Sequence, residues 1–472
     1  MVPGSTVHCT IRDHAVPAKM RNAEIDSHPG MPRLVHALGV AGLVILLVGT
    51  GFSKGVQNTG MALALLASAG GVWVQREQWW GRLTADWAIR WTVVWILYVI
   101  ILAIIMAYLH PEIAGRHYDY AWKLSRFFLI GLVAWWVAMA FRRAINGYLL
   151  LLAGFVLGAV LFHHAQGWPS GFASPQIDLW EGPQFYTLFS ASVLAIALIL
   201  ARDIWGPRQS RWFWFRGGMW TVTAGIAANS LLVSHSRAGL LGLAVGLALA
   251  GAALGYRRLH RGPVASGSNR THWLPAIAVV LVLIPTLWLG WAVSSDRVKR
   301  DVAVIKEAIE SGEIQQTSMG IRLVQWQKAV DFHRQRPWFG WGPGAGAYLR
   351  EKAAIPDEFH AAGSHFHSGP LDILLWTGIV GLAIVTLLFA SLALGLWRLF
   401  QRGGGEGRMA LAALTVMAIA FTASTTQTYL TSQVSWFYLA AFLGPAYALV
   451  LQGKATGPTS SLSSPETSGS RE

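Results

Sequence analysis

Apolar runs about as long as a membrane is thick recur along the whole chain, separated by short polar connectors. At about 1.5 Å of rise per helical residue, roughly 20 residues cross about 30 Å of hydrocarbon. Such runs stand at about Leu34 to Phe52, Asn58 to Val74, Ala88 to Leu109, Arg126 to Phe141, Ala144 to Phe162 and Gln184 to Ala201. A second set covers about Phe215 to Val233, Ala238 to Tyr256, Leu274 to Val293, Gly369 to Leu396, Met409 to Leu430 and Val434 to Leu451. The pattern predicts an all-α polytopic membrane protein with about twelve transmembrane helices.

The connectors set the orientation, because Lys and Arg in short loops stay on the cytoplasmic side. With the N-terminus inside, the inside connectors hold Arg76, Arg82 and Arg90, then Arg142 and Arg143, then Arg202, Arg208, Arg211 and Arg216. Arg257, Arg258, Arg261 and Arg270 follow, and finally Arg398, Arg402 and Arg408. The outside connector from His163 to Pro183 contains no Lys or Arg. Both termini are therefore expected in the cytoplasm. The division is a cytoplasmic tail at 1–33, nine spans in 34–293, a long outside loop at 294–368, three spans in 369–452 and a disordered tail at 453–472. The first apolar run starts too late for a signal peptide.

The outside loop is roughly 75 residues long, far more than joining two helices requires, and loops of that length usually carry function. Val298, Val302, Ile305 and Ile309 recur at helical spacing among charges and predict an amphipathic surface helix. A second helix is expected over Ile321 to Arg334, followed by the Pro- and Gly-rich stretch RPWFGWGPGAGAY.

Composition narrows the class. Only 13% of residues are charged, which excludes an ordinary soluble domain. The net charge of +14 is scattered through the connectors, which suits topogenic charge and membrane lipids, not nucleic acid. A single Cys9 leaves no intramolecular disulfide and no cysteine-based metal cluster.

Three outside positions carry candidate chemistry. Arg237 in SHSRAGLLG stands at a helix N-terminus that Ser234 or Ser236 would cap, an anion site in outline. The plainer reading is an arginine snorkelling at a helix end. Arg322 lies on the second loop helix, where a solvated face is the ordinary explanation. His367 in HFHSGP precedes a helix that Ser368 would cap and Pro370 would open, and an imidazole there suits a general base. Its plain alternative is an interfacial histidine that meets water. A zinc site on His365 and His367 lacks further ligands, so no metal and no cofactor is expected. No DxD or DxE pair occurs to hold a divalent ion against a diphosphate, so guanidinium charge would take that part.

These residues resemble those of the bacterial O-antigen ligases, a superfamily that includes the O-antigen polymerases and protein O-oligosaccharyltransferases. The ligase pattern is His, then Asn, Ser or Gln, nine residues, Gly, two residues, then Gly, Thr or Tyr, and His367, Ser368, Gly378 and Gly381 fit it. Ser236, Arg237 and Ala238 match a second element, and Arg322, Trp326, Pro337 and GWGPG from Gly340 to Gly344 match the family's long loop. The resemblance implies a GT-C type glycosyltransferase fold with its active site facing the periplasm at the bacterial inner membrane. The donor it implies is a glycan on undecaprenyl diphosphate, and the acceptor is a sugar hydroxyl of lipid A-core. In that mechanism, which is inverting and metal-independent, His367 is the catalytic base and Arg237 and Arg322 bind the diphosphate.

His365, Trp341 and Tyr348 are candidate sugar contacts, and Asp372 is placed to orient His367. Arg116, Lys123 and Arg126 form a candidate basic patch for the acceptor lipid. Gly378 and Gly381 are expected to be close-packing positions. A polymerase or a protein O-oligosaccharyltransferase remains open within the family, and a lipid-linked glycan transporter or flippase outside it, although no paired internal repeat is evident.

Overall fold

The computed structural model describes residues 32–51, 53–141, 143–166, 183–234, 236–261, 273–312, 314–353 and 365–455. Most of the expected tails at 1–33 and 453–472 and most of the 163–183 connector lie outside them. Among the described residues the secondary structure is helical throughout, without strands.

The first helices are α1 (Arg33–Gly49), α2 (Lys54–Ala85), α3 (Trp87–Leu109), α4 (Ala114–Ser125), α5 (Phe128–Ala140) and α6 (Ile145–Gln166). Next come α7 (Pro183–Ile199), α8 (Phe213–Val233), α9 (Arg237–Arg261), α10 (Trp273–Glu310), α11 (Ser318–Gln335) and α12 (Gly346–Lys352). The last three are α13 (Gly369–Arg402), α14 (Gly404–Ser424) and α15 (Gln433–Ala455).

Among the described residues seven helices are long and apolar enough to cross a membrane, namely Trp87–Leu109, Pro111–Ala140, Ile145–Phe162, Arg237–His260, Gly369–Arg402, Gly404–Ser424 and Val434–Gly453. The expectation was about twelve. Three more apolar stretches, Arg33–Gly49, Phe185–Ile199 and Ile277–Ala292, add to these, the last within the 38-residue α10. The other two expected runs are helical but diluted. α2 carries Gln57, Asn58 and Thr59 before its charged second half, and α8 carries Arg216, Asn229 and Ser230.

Buried aromatic donors tie the bundle together through backbone carbonyls, as a polar edge in an apolar core requires. Trp95 Nε1–H donates to the Leu124 carbonyl at 2.9 Å, Trp220 Nε1–H to Ala197 at 2.6 Å and the Tyr148 hydroxyl to Phe442 at 3.0 Å. Asp86 caps α3 by accepting from the Ala88 N–H at 2.8 Å and also accepts from the Tyr447 hydroxyl at 2.6 Å, which fixes α3 to α15.

Two expectations change. No helix boundary falls at 293/294, because α10 continues without a break from the apolar segment into the expected surface helix. The stretch holding Arg116, Lys123 and Arg126 is mostly helical, with Arg116 and Lys123 on α4 and Arg126 at its C-cap. α4 folds back against α3 because His110 and Pro111 end one helix and a 3-10 turn starts the next.

Candidate functional site

The site forms around a break in α13. Gly378 has φ 65° and ψ −172°, so the helix from Gly369 stops at Thr377 and a second starts at Ile379. A helix break exposes carbonyls on one side and N–H groups on the other, and the Pro- and Gly-rich stretch after α11 satisfies both. The N–H groups of Trp341 and Gly342 donate to the carbonyls of Leu375 and Trp376 at 2.9 Å each. In return, the N–H groups of Ile379 and Val380 donate to Pro337 and Trp338 at 2.9 and 3.2 Å. A Cβ at Gly378 would stand 2.1 Å from the Trp338 carbonyl oxygen, so close packing and positive φ both require glycine there. Gly381 is tight as well, with Thr377 Oγ1 at 2.2 Å from its notional Cβ.

The short helix ahead of the break carries the chemistry at its N-terminus. His367 has φ 52° and is the one non-glycine residue with positive φ among the described residues. Side chains in that region persist only where their surroundings hold them, and here they are held on both sides. The Phe366 N–H donates to Asp372 Oδ1 at 3.0 Å, and the Phe366 carbonyl accepts from Trp326 Nε1–H at 3.0 Å. On the other side the Gly369 N–H donates to the Gln427 carbonyl at 2.9 Å. Ser368 occupies the N-cap position without a side-chain capping bond, contrary to expectation. Pro370 in the first turn has no N–H to give it, and Gln427 already takes that of Gly369.

The electrostatic neighbours of His367 are His365, Arg322 and Arg350, and Gln427 is its side-chain hydrogen-bond partner. Burial, then the positive fields of these groups, push the His367 imidazole down to about 4, so it is neutral at pH 7. His365 meets it edge to face with ring centroids 4.7 Å apart and is itself pushed down by burial and by Arg350. Arg322 is partly buried, makes no ion pair among the described residues, and has the buried Tyr429 as its electrostatic partner. Burial lowers its affinity for the proton, as it does for Arg350, where the Asp372 carboxyl acts in the opposite direction. Gln325, three residues after Arg322 and so on the same face of α11, is fully buried with neither amide atom hydrogen-bonded among the described residues. Two guanidiniums thus act on one uncharged base. Such a site can bind an anion and accept a proton beside it.

The other candidates fall elsewhere. Arg237 is ion-paired with Asp301 of α10 and is not among the electrostatic neighbours of His367. Ser234 does not cap α9; its hydroxyl ends α8 by donating to Leu231 at 3.0 Å and accepts from Thr187 at 2.8 Å. Trp341 uses its N–H on the Phe332 carbonyl at 2.9 Å and lies under Arg336 at 4.1 Å. Tyr348 packs with His110 at 5.9 Å, so both aromatics belong to the joint between the Gly-rich loop and α3. Asp372 holds the backbone of Phe366 and acts on His367 only through it. The basic patch is divided, since Arg116 is exposed, Lys123 is bound to Asp119 at 2.6 Å, and Arg126 is buried beside Trp122 at 5.3 Å. Among the described residues no three His, Cys, Asp or Glu side chains gather as metal ligands would.

Sequence reasoning missed Arg350, Gln427 and Tyr429. The signal for the last two was the polar stretch STTQTY, which the expected span Met409 to Leu430 takes in although the helix ends at Ser424.

Residues 222–386 match the family model described as O-antigen ligase. The matched segment contains Arg237, Arg322, Arg350 and His367 and leaves α1 to α7 outside it. No curated protein matches the chain at a significant level.

Proposed function

Residues 222–386 place the chain in the O-antigen ligase superfamily, and on that premise we propose that it ligates a glycan from undecaprenyl diphosphate onto a sugar hydroxyl of lipid A-core. The superfamily is one of ligase-type glycosyl transfer. The observation that supports this reading most is His367, neutral and held in a left-handed backbone beside Arg322 and Arg350.

His367 accepts the proton of the acceptor hydroxyl as its oxygen bonds to the anomeric carbon. The bond from that carbon to the diphosphate oxygen breaks, inverting the centre, and the leaving diphosphate departs with the electron pair. Arg322 and Arg350 supply charge-assisted hydrogen bonds to it without a divalent ion. Arg237 joins them by exchanging the Asp301 carboxylate for phosphate. Bound diphosphate offsets the positive fields that hold His367 down, so the base strengthens when the donor is in place. The active site faces the periplasm on a GT-C type scaffold of the inner membrane, with both termini cytoplasmic.

The test is reconstitution of the purified protein with undecaprenyl diphosphate-linked glycan and lipid A-core. Glycan should move to lipid A-core with release of undecaprenyl diphosphate. Growth of the lipid-linked chain, or transfer to Ser or Thr of a protein acceptor, would overturn the ligase reading.

A further inference from the structure

A neutral imidazole carries a hydrogen on one ring nitrogen and a lone pair on the other. Which is which at His367 decides the atom that can take up a proton. Nδ1 is buried and has no hydrogen-bond partner among the described residues. The side chain of Gln427, which hydrogen-bonds the ring, therefore meets it at Nε2. Gln427 is itself buried, at 6% exposure.

An amide can meet Nε2 in two senses. If the Gln427 N–H donated to Nε2, the ring hydrogen would sit on Nδ1 as a buried donor with no acceptor, an arrangement that folded proteins rarely contain. If Gln427 Oε1 accepts from Nε2–H, Nδ1 keeps a free lone pair. The electrostatics agree with the second sense. The Gln427 bond favours the protonated ring, against burial and against the fields of His365, Arg322 and Arg350, the titratable and charged groups that act on it.

The backbone of Gln427 is held separately. Its carbonyl accepts from the Gly369 N–H at 2.9 Å, and a Cβ on Gly369 would stand 3.2 Å from Leu430 Cβ and 3.4 Å from Ser424 Cβ. The turn between α14 and α15 thus lies directly on the start of α13. The carbonyl secures the turn, and the amide is left to serve the imidazole.

Resting on the base assigned under the proposed function, we propose that Gln427 is a positioning residue that sets the tautomer of His367 and makes Nδ1 the atom that takes the acceptor's proton. As the O–H bond of the acceptor breaks, the proton joins Nδ1, while Nε2–H stays donated to Gln427 Oε1 and the imidazolium is steadied by that bond. A base oriented by a third group is the general form of such an arrangement.

Gln427→Met keeps the backbone bond to Gly369 and removes the acceptor, and Gln427→Glu keeps the acceptor and adds a negative charge. The first readout is exchange of the His367 ring C2 hydrogen for deuterium across a pH series, followed by peptide mass spectrometry, which reports the titration of this one imidazole without turnover. Its midpoint should fall in Gln427→Met and rise by about one pH unit or more in Gln427→Glu. In transfer assays kcat of Gln427→Met should fall about ten- to a hundredfold, and the acid limb of kcat/KM in Gln427→Glu should move upward with the midpoint. A residue that only secured the turn would leave the midpoints in place, since both variants keep its carbonyl. An unchanged midpoint in a folded Gln427→Glu protein would overturn the assignment, whether or not Gln427→Met folds. Displaced midpoints in protein that transfers nothing to lipid A-core would overturn the ligase reading and leave the role of Gln427 supported.

Discussion

Replacing His367 by Asn separates the backbone role of this residue from its chemistry. At φ 52° the residue sits where most L side chains are destabilised by about 1–2 kcal/mol, and Asn is among the few that tolerate the region. His367→Asn should therefore fold as well as wild type, with a melting temperature equal or slightly higher in detergent, whereas a β-branched replacement such as His367→Val should melt lower. Catalysis should behave differently. General base catalysis contributes about 10² to 10⁴ in rate, and Asn cannot take up the proton. Transfer to lipid A-core should fall by that factor while binding of the lipid-linked donor persists. The wild-type pH profile gives a second reading of the same nitrogen. A base must be unprotonated to act, so kcat/KM should fall on the acid side with a midpoint near the His367 value of about 4. The kcat midpoint should lie higher, because bound diphosphate favours the protonated imidazole. A properly folded His367→Asn variant that transfers within tenfold of wild type would refute the base assignment.

Two further outcomes follow from the same geometry. Arg322→Gln removes one of the cations that depress His367, so the acid limb of kcat/KM should move upward in pH from about 4, and KM for the donor should rise roughly ten- to a hundredfold for the lost charge-assisted bond; isothermal donor titration and a pH series check both. Gly378→Ala puts a Cβ 2.1 Å from the Trp338 carbonyl oxygen at φ 65°, and should destabilise the protein by at least about 1–2 kcal/mol and abolish transfer, read as melting temperature and product yield.

The parts of the fold that depend on hydropathy were legible in the sequence, including the helices around Ala88 to Leu109 and Met409 to Leu430 and the loop helix over Ile321 to Arg334. The break in α13 was not. WTGIVGL is apolar apart from Thr377, and hydropathy carries no information about a backbone that must leave the helix at one glycine. The course of α4 was hidden for a different reason, since a helix carrying Arg116, Asp119 and Lys123 has the composition of a connector. His367 and Arg322 stand together because α11 and the residues that lead into α13 converge, and the motif spacing pointed to both. Arg350 and Gln427 could not be read that way. Each reaches the site from an element whose position is fixed by tertiary contacts, with no local pattern to announce it. Arg237 shows the converse, a motif residue whose partner in this structure, Asp301, comes from the expected surface helix, here continuous with the span before it.

The clip across the α13 break also decouples altitude from anchorage. An unbroken helix would tie the position of His367 rigidly to the depth at which the lower segment sits in lipid, so thinning or thickening of the bilayer would raise or lower the base with it. With the nine residues Gly369–Thr377 held by backbone bonds to Trp341 and Gly342, and by Tyr98, whose hydroxyl donates to the Thr377 carbonyl, that upper segment of about 13 Å rides on α3 and the Gly-rich loop. The position of the base is then set by α3 and the loop, and a tilt of the segment after Gly378 need not carry it along.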